Sequence, residues 1–219
     1  MKQLYAFNKT YAIKRIGLKL SNNLKDITML SKELEHFAII KGLKNEKVVK
    51  YYDLWFEYGN YHNVKSLFIY IQMELCDKTL NDIIHEIEND RKVTNNNSHF
   101  QYYITSQLFI QILEGVYYLH TRSPQIIHRD LKPENILIKI NENNENIVKI
   151  ADMGLICLHN NANECNVSLK QYHTQDIGNI IYAAPEVLES RNYDTRADIY
   201  SLGIVLQQLF QINNNRYTY

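Results

Sequence analysis

The chain has little of several features that mark specialised classes of protein. Its 219 residues include three cysteines, an odd number without metal-ligand spacing, which predicts free thiols in a reducing compartment. The formal net charge is zero, so composition gives no electrostatic reason to expect nucleic acid or a membrane surface as a partner. The most apolar run, residues 67–75, is too short to span a bilayer, and no apolar core of a signal peptide follows Met1. A soluble, cytoplasmic globular protein is expected.

The first third of the chain has a strand-rich pattern. Residues 10–17 are predicted to form a strand, and residues 28–43 a helix, because their apolar residues recur at three- and four-residue steps. Residues 48–57 and 66–75 are rich in Val, Tyr, Phe and Ile, which predicts two further strands. Gly59 and Asn60 are expected to form the connection between them.

The pattern becomes mainly helical after Cys76. A long helix is predicted through residues 104–119 and another over residues 198–210. Short apolar strands are predicted at residues 126–127, 136–138 and 148–150. We therefore expect an α+β fold with two lobes: a small antiparallel-sheet lobe with one helix over residues 1–76, and a larger, mainly helical lobe over residues 77–219.

Four short motifs occur in a fixed order. Residues 11–14 read YAIK, residues 128–135 read HRDLKPEN, residues 152–154 read DMG, and residues 184–186 read APE. One such motif would be weak evidence, but four in this order resemble the lysine strand, catalytic loop, metal-binding turn and closing segment of eukaryotic-type protein kinases. The resemblance implies a bilobal kinase fold that uses ATP and Mg²⁺.

The resemblance gives each of these side chains a role in phosphoryl transfer, which depends on positioning and on positive charge at the phosphates. Lys14 would contact the α and β phosphates of ATP. Asp130 would accept the proton of the substrate hydroxyl, and Asn135 and Asp152 would each offer an oxygen to Mg²⁺. Lys132 would contact the transferred phosphate, which favours a serine or threonine acceptor over tyrosine.

A finer similarity indicates one branch of the kinases. Residues 11–16 (YAIKRI), 48–52 (VVKYY) and 71–76 (IQMELC) resemble the kinases that phosphorylate the α subunit of eukaryotic initiation factor 2. That resemblance implies initiation factor 2α as the protein substrate, regulation of translation as the outcome, and dimerisation as a possibility. Ordinary core packing would also account for many of these apolar residues.

The same resemblance implies roles for five further residues. Met73 would be the gatekeeper, and Glu74 and Cys76 would belong to the hinge that binds adenine through backbone groups. Thr174 would be the activation-loop threonine that these kinases autophosphorylate. A phosphate there would add negative charge and could pair with Arg129, although a solvated loop threonine is an equally good reading.

Three departures from the family pattern are visible. Residues 1–10 contain no glycine, so the glycine-rich loop expected ahead of the lysine strand is missing. The family spacing places His36 where the glutamate partner of Lys14 is expected, with Glu35 and Glu33 as the nearby alternatives. The chain also ends soon after Phe210, which suggests a kinase domain truncated at both ends.

These departures keep other interpretations open. The chain could be a pseudokinase or regulatory binding module without activity, or a partial domain that does not fold alone. The four residues Lys14, Asp130, Asn135 and Asp152 argue against an inactive protein, which has no chemical need for all of them. Among enzymes, the rival is a cell-cycle inhibitory kinase that modifies tyrosine, and Lys132 counts against it.

Overall fold

The computed structural model describes residues 2–6, 9–19, 24–61, 64–94, 99–153, 157–159, 180–188 and 194–212. The chain divides into two units, Met1–Cys76 and Asp77–Tyr219, here called the N-terminal and C-terminal units. The α+β class predicted from the sequence is confirmed. Within the described residues, no helix is both long and apolar enough to cross a membrane.

The N-terminal unit contains a four-stranded antiparallel sheet and one helix. The strand order is β1-β2-β4-β3. Phe37 and Ile40 of the predicted apolar stripe are buried, whereas Leu34 of the same stripe is 40% exposed. Ile69 in the sheet is fully buried. The elements are β1 Lys2–Ala6, β2 Lys9–Lys19, α1 Leu24–Lys41, β3 Tyr51–Tyr61 and β4 Val64–Glu74.

The prediction that Gly59 and Asn60 connect two strands is wrong. Both lie inside β3, where they pair with Ser66 and Lys65 of β4. Glycine is needed here for packing and not for a turn, because a Cβ atom at this position would lie 2.9 Å from the ring of Phe68. Gly59 therefore leaves room for an aromatic side chain on the neighbouring strand.

The C-terminal unit combines helices with two small antiparallel sheets. One sheet has the order β5-β7-β8, and the other pairs β6 with β9. The 3₁₀ turn Pro133–Asn135 precedes β7. The elements are β5 Lys78–Thr79, α2 Leu80–Thr94, α3 His99–His120, β6 Gln125–Ile127, β7 Ile136–Ile140, β8 Asn146–Ile150, β9 Cys157–His159, α4 Pro185–Leu188 and α5 Arg196–Leu209.

Local sequence explains how the helices of this unit begin and pack. Thr79 and Asp82 form reciprocal hydrogen bonds at the start of α2, with Thr79 N–H donating to Asp82 Oδ2 at 2.8 Å and Asp82 N–H donating to Thr79 Oγ1 at 3.2 Å. Helix α3 packs against β8. Its apolar stripe is buried, as the sequence predicted: Leu108, Ile112, Val116 and Leu119.

Candidate active site

Asp130 is the centre of a polar cluster in the loop between β6 and β7. Asn135 Nδ2 donates hydrogen bonds to the carboxylate Oδ2 and to the backbone oxygen of Asp130, each at 2.8 Å. Lys132 Nζ lies 3.5 Å from Asp130 Oδ2. The side chains of Lys132 and Asp130 are only 15% and 17% exposed, so water screens this ion pair less than a surface pair.

The surroundings of Asp130 change its proton affinity. Burial raises the pKa of the Asp130 carboxyl above its usual value of 3.8, and the carboxylate of Asp152 adds to the rise. The charge of Lys132 and the hydrogen bond from Asn135 act in the opposite direction. A carboxylate that holds a proton more readily than usual is suited to general-base chemistry.

Two non-glycine residues beside Asp130 have left-handed backbone conformations. Arg129 has φ 67° and Asp152 has φ 58°. A conformation of this kind costs about 1–3 kcal/mol and persists only where surrounding contacts hold it. Such strain is concentrated at functional sites, and here it flanks the predicted base and a predicted metal ligand.

Asp198, in the first turn of α5, holds the strained loop at Arg129. Its Oδ1 accepts the Arg129 N–H at 2.8 Å, and its Oδ2 accepts the His128 N–H at 2.9 Å. His120 Nε2 lies 2.7 Å from Asp198 Oδ2, and the Asp198 side chain is fully buried. Sequence reasoning did not assign this role to Asp198; the available signal was a carboxylate among the apolar residues of a predicted buried helix.

Asp152 is brought to the loop by the end of β8. Ala151 N–H donates to Asn135 O at 2.9 Å, and His128 Nε2 donates to Ala151 O at 2.9 Å. Asp152 therefore directly follows Ala151, whose N–H and carbonyl are both hydrogen-bonded to the loop that carries Asp130. Its carboxylate is near enough to raise the pKa of Asp130. The structure thus brings together four predicted residues: Asp130, Lys132, Asn135 and Asp152.

The donor atoms of this cluster suit a magnesium ion shared with a nucleotide. Asn135 uses its side-chain nitrogen for Asp130, so its amide oxygen is the atom that a cation would use. Together with the Asp152 carboxylate it would supply two hard oxygen ligands. Among the described residues, no group of three or more His, Cys, Asp or Glu side chains could hold a metal by itself. Two protein ligands are sufficient where phosphate oxygens complete the shell.

Lys14 lies in the N-terminal unit, on β2. Ala12 pairs with Met73 of β4, and Lys14 pairs with Ile71. Directly paired residues share one face of a sheet, and so do residues two apart on a strand. Lys14 and Met73 are therefore on the same face, where Lys14 is half-buried and Met73 is buried.

Helix α1 carries the three possible partners of Lys14. Glu35 is exposed and accepts a hydrogen bond from Ser31 Oγ at 3.4 Å. His36 is half-buried beside the buried Phe37, and the side chain of Glu33 lies outside the described residues. The pairing of Lys14 stays a prediction.

The predicted hinge follows the end of β4. Glu74 N–H donates to Lys50 O at 2.8 Å, and the buried Glu74 carboxylate accepts Lys50 N–H at 3.3 Å. The backbone N–H of Glu74 is therefore bound within the N-terminal unit, and its predicted contact with adenine stays a prediction. Cys76 is half-buried. Thr174 lies outside the described residues, and Arg129, its predicted partner, is half-buried.

Comparisons with known proteins find relatives that are named as kinases. "Eukaryotic translation initiation factor 2-alpha kinase 1" of Rattus norvegicus is 38% identical over 153 residues, 66% of this chain and 24% of that protein. "eIF-2-alpha kinase GCN2" of Schizosaccharomyces pombe is 38% identical over 151 residues, 64% of this chain and 8% of that protein. "Ankyrin repeat-containing protein kinase A" of Dictyostelium discoideum is 29% identical over 203 residues, 93% of this chain and 12% of that protein.

The match to a family model covers more of the chain than the match to any of these relatives. The chain spans about a quarter or less of their length. The family described as "Protein kinase domain" matches residues 4–216, which is nearly the whole chain. That span includes all four motifs and the Asp130 cluster. The chain belongs to the protein kinase domain family.

Proposed function

We propose that the chain is the catalytic part of a serine/threonine protein kinase that transfers the γ-phosphoryl group of ATP to initiation factor 2α and so regulates translation in the cytoplasm. The cluster of Asp130, Lys132 and Asn135 carries the proposal. In one loop, the half-buried carboxylate of Asp130 lies within hydrogen-bonding distance of the Asn135 amide and within ion-pair distance of the Lys132 ammonium group. The similarity to kinases named for this factor supports the choice of substrate.

Each residue of the cluster has a task in this reaction. Asp130 accepts the proton of the substrate hydroxyl, which is worth about 100- to 10,000-fold in rate. Lys132 contacts the phosphoryl group as it moves to that hydroxyl. Asn135 and Asp152 would hold Mg²⁺, which when bound would neutralise charge on the phosphate oxygens. Lys14 contributes a point charge to the α and β phosphates.

The acceptor is a serine or threonine hydroxyl. Lys132 Nζ is 3.5 Å from Asp130 Oδ2, so the cation lies directly beside the base. The choice of acceptor rests on the family resemblance, in which a lysine at the position of Lys132 contacts the transferred phosphate in serine/threonine kinases and is usually replaced in tyrosine kinases.

Further assignments follow from the same proposal. Residues 1–76 and 77–219 are the two lobes of the kinase. Met73 limits access to the adenine site, and Glu74 and Cys76 bind adenine through their backbones. Thr174 is the regulatory phosphorylation site and Arg129 its partner, since a phosphothreonine adds negative charge that a guanidinium binds well. The active protein is a dimer, as the family resemblance suggests.

The test is incorporation of radiolabelled phosphate from ATP into initiation factor 2α and, in parallel, into casein. We expect labelling of initiation factor 2α that is lost in Asp130→Ala and in Lys14→Ala. The matched controls are Asp53→Ala and Lys9→Ala, at exposed positions of the N-terminal unit; both should behave as wild type.

Each alternative predicts a different result. Labelling of casein without labelling of initiation factor 2α would refute the substrate and retain the kinase. Equal labelling by wild type and Asp130→Ala would refute the assigned base. A folded chain that binds ATP and labels neither protein would be a regulatory binding module, the reading that His36 favours.

A further inference from the structure

The side-chain amide of Gln111 joins helix α3 to strand β8. Its Nε2 donates a hydrogen bond to Asn146 O at 3.0 Å, and its Oε1 accepts one from Val148 N–H at 3.1 Å. In the part of the chain that the structure describes, β8 is an outer strand of the sheet β5-β7-β8. The amide therefore takes the place of a neighbouring strand, because it bonds both an acceptor and a donor on one edge of β8.

The orientation of this amide follows from the chemistry of its partners. A backbone N–H can only donate and a backbone carbonyl can only accept, so Oε1 has to face Val148 and Nε2 has to face Asn146. Val148 is fully buried, and a buried N–H without an acceptor would cost free energy. A carboxylate at position 111 would lack the donor, and an aliphatic side chain would lack both groups.

These two bonds supply a direction that apolar packing does not. Helix α3 packs against β8, and the side chains of Ile112 and Val148 are fully buried. Apolar contacts are non-directional, so they tolerate small shifts of a strand along its axis. Successive residues direct their backbone groups to opposite edges of a strand, so a shift of one residue would break both bonds of Gln111.

The placement of β8 matters because Asp152 follows its end. The last residue of β8, Ile150, pairs with Ile136, which directly follows Asn135. Both predicted metal ligands are therefore at the same end of the β7–β8 pair. Ala151 is the single residue between β8 and Asp152, so a movement of β8 along its axis is passed directly to this ligand.

Helix α3 also contacts the residue that holds the loop of the predicted base. His120, the last residue of α3, has its Nε2 2.7 Å from Asp198 Oδ2. Asp198 in turn accepts the N–H groups of His128 and Arg129. Gln111 and His120 lie about 14 Å apart along the helix, at a rise of about 1.5 Å per residue. One helix thus relates β8 to the loop that carries the base.

We propose that Gln111 is a positioning residue for Asp152: by fixing β8 on α3, it holds the Asp152 carboxylate where it meets a Mg²⁺ ion bound to the phosphates of ATP. The inference rests on the proposed kinase function and adds a residue outside the Asp130 cluster. Without the two bonds, β8 keeps its apolar packing but gains freedom along its axis. The affinity for the metal ion should therefore fall while the chain stays folded.

The first experiment measures the binding of Mn²⁺, a paramagnetic substitute for Mg²⁺, by electron paramagnetic resonance in the presence of a non-hydrolysable ATP analogue. Gln111→Met keeps the length of the side chain and removes both hydrogen bonds. We expect its Kd for Mn²⁺ to rise roughly tenfold, with the same number of sites per chain as wild type. The matched control is Gln107→Met, one turn earlier at an exposed position of α3, which should bind as wild type does.

The number of sites separates positioning from general destabilisation. A merely structural role of Gln111 would lower the unfolding midpoint and the number of Mn²⁺ sites per chain, and would leave Kd unchanged. That result would overturn the inference. A wild-type chain that binds Mn²⁺ with the nucleotide yet transfers no phosphate would refute the proposed function alone.

The second experiment measures amide hydrogen exchange without metal or nucleotide, so it needs no catalysis. Gln111→Met should speed exchange in residues 146–152 and leave residues 108–119 of α3 near wild-type rates. Gln107→Met should change neither segment. Exchange at wild-type rates in residues 146–152 of Gln111→Met would overturn the inference whether or not the chain is an active kinase.

Discussion

Asp198 Oδ1 accepts a hydrogen bond from the backbone N–H of Arg129 at 2.8 Å, and Arg129 is the residue with φ 67° immediately before the predicted base. The second oxygen of the same carboxylate holds the N–H of His128 at 2.9 Å. A fully buried carboxylate on a helix therefore stabilises a strained backbone in a loop 69 residues earlier in the chain. The shape of the loop that carries Asp130 therefore depends on contacts with α5 as well as on its own sequence.

Replacing this carboxylate should destabilise the C-terminal unit. Asp198→Ala removes two backbone hydrogen bonds to a charged group, each typically worth about 1.5–3 kcal/mol. We expect the free energy of unfolding in urea to fall by at least about 2 kcal/mol. Glu142→Ala, at an exposed position between β7 and β8, should change it by less than about 0.5 kcal/mol. Equal effects of the two substitutions would show that Asp198 does not hold the loop.

The pH dependence of catalysis should report the raised pKa of Asp130. The reaction requires the deprotonated carboxylate, so kcat/KM should fall as pH drops through a value above 3.8. The hydrogen bond from Asn135 lowers this pKa, so Asn135→Ala should move the acid limb to higher pH while also reducing the rate. The measurement is kcat/KM against pH for both proteins. An acid limb that moved to lower pH in Asn135→Ala would contradict the assignment.

Asp130 should make the pH dependence of stability opposite to that caused by a salt-bridged carboxylate. Its folded-state pKa is raised, so ionisation penalises the folded state at neutral pH, and the penalty disappears as pH falls below the unfolded value. Asp130→Asn keeps an oxygen acceptor for Asn135 and should raise the unfolding midpoint at pH 7. The gain should shrink toward pH 4. Asp53→Asn, whose side chain is 66% exposed, is the control and should give no gain; a lower midpoint for Asp130→Asn at pH 7 would refute the prediction.

Two glycines should respond in opposite ways to alanine. At Gly59 a Cβ atom would lie 2.9 Å from the Phe68 ring, so Gly59→Ala should cost about 1–3 kcal/mol. At Gly203, inside α5, a Cβ atom would meet nothing within 4 Å, so Gly203→Ala should stabilise by about 0.5–1 kcal/mol. Unfolding in urea measures both. Stabilisation by Gly59→Ala would show that Phe68 adjusts without cost.

Much of the secondary structure follows from local patterns in the sequence. The long helix through residues 104–119 was predicted because its apolar residues form one stripe, and α3 buries that stripe. The predicted strand at 10–17 corresponds to β2, and the predicted helix at 28–43 to α1, which begins and ends earlier. The short elements β1, β5, β9 and α4 were not predicted, since a few residues carry no readable period. The 15-residue helix α2 was also missed, although its buried residues Leu80, Ile83, Ile84 and Ile87 have the spacing of an amphipathic helix.

The candidate site was predictable as a set of residues but not as a geometry. The spacing of Asp130, Lys132 and Asn135 predicted one loop, and in the structure Asp130 Oδ2 lies 2.8 Å from Asn135 Nδ2 and 3.5 Å from Lys132 Nζ. The hydrogen bond from Arg129 N–H to Asp198 joins residues 69 positions apart. Sequence periodicity has no access to such tertiary contacts. Gly59 shows the same limit, because a side chain at this position would collide with the ring of Phe68 on another strand.

The most direct test of the central claim compares phosphate transfer by wild type and by Asp130→Asn, which keeps the size of the side chain and an acceptor for Asn135. Both proteins should bind ATP with similar affinity, measured by calorimetry in the presence of Mg²⁺. The account predicts that transfer of radiolabelled phosphate to initiation factor 2α falls by about 100-fold or more in Asp130→Asn. Equal transfer by the two proteins would contradict the assignment of Asp130 as the catalytic base.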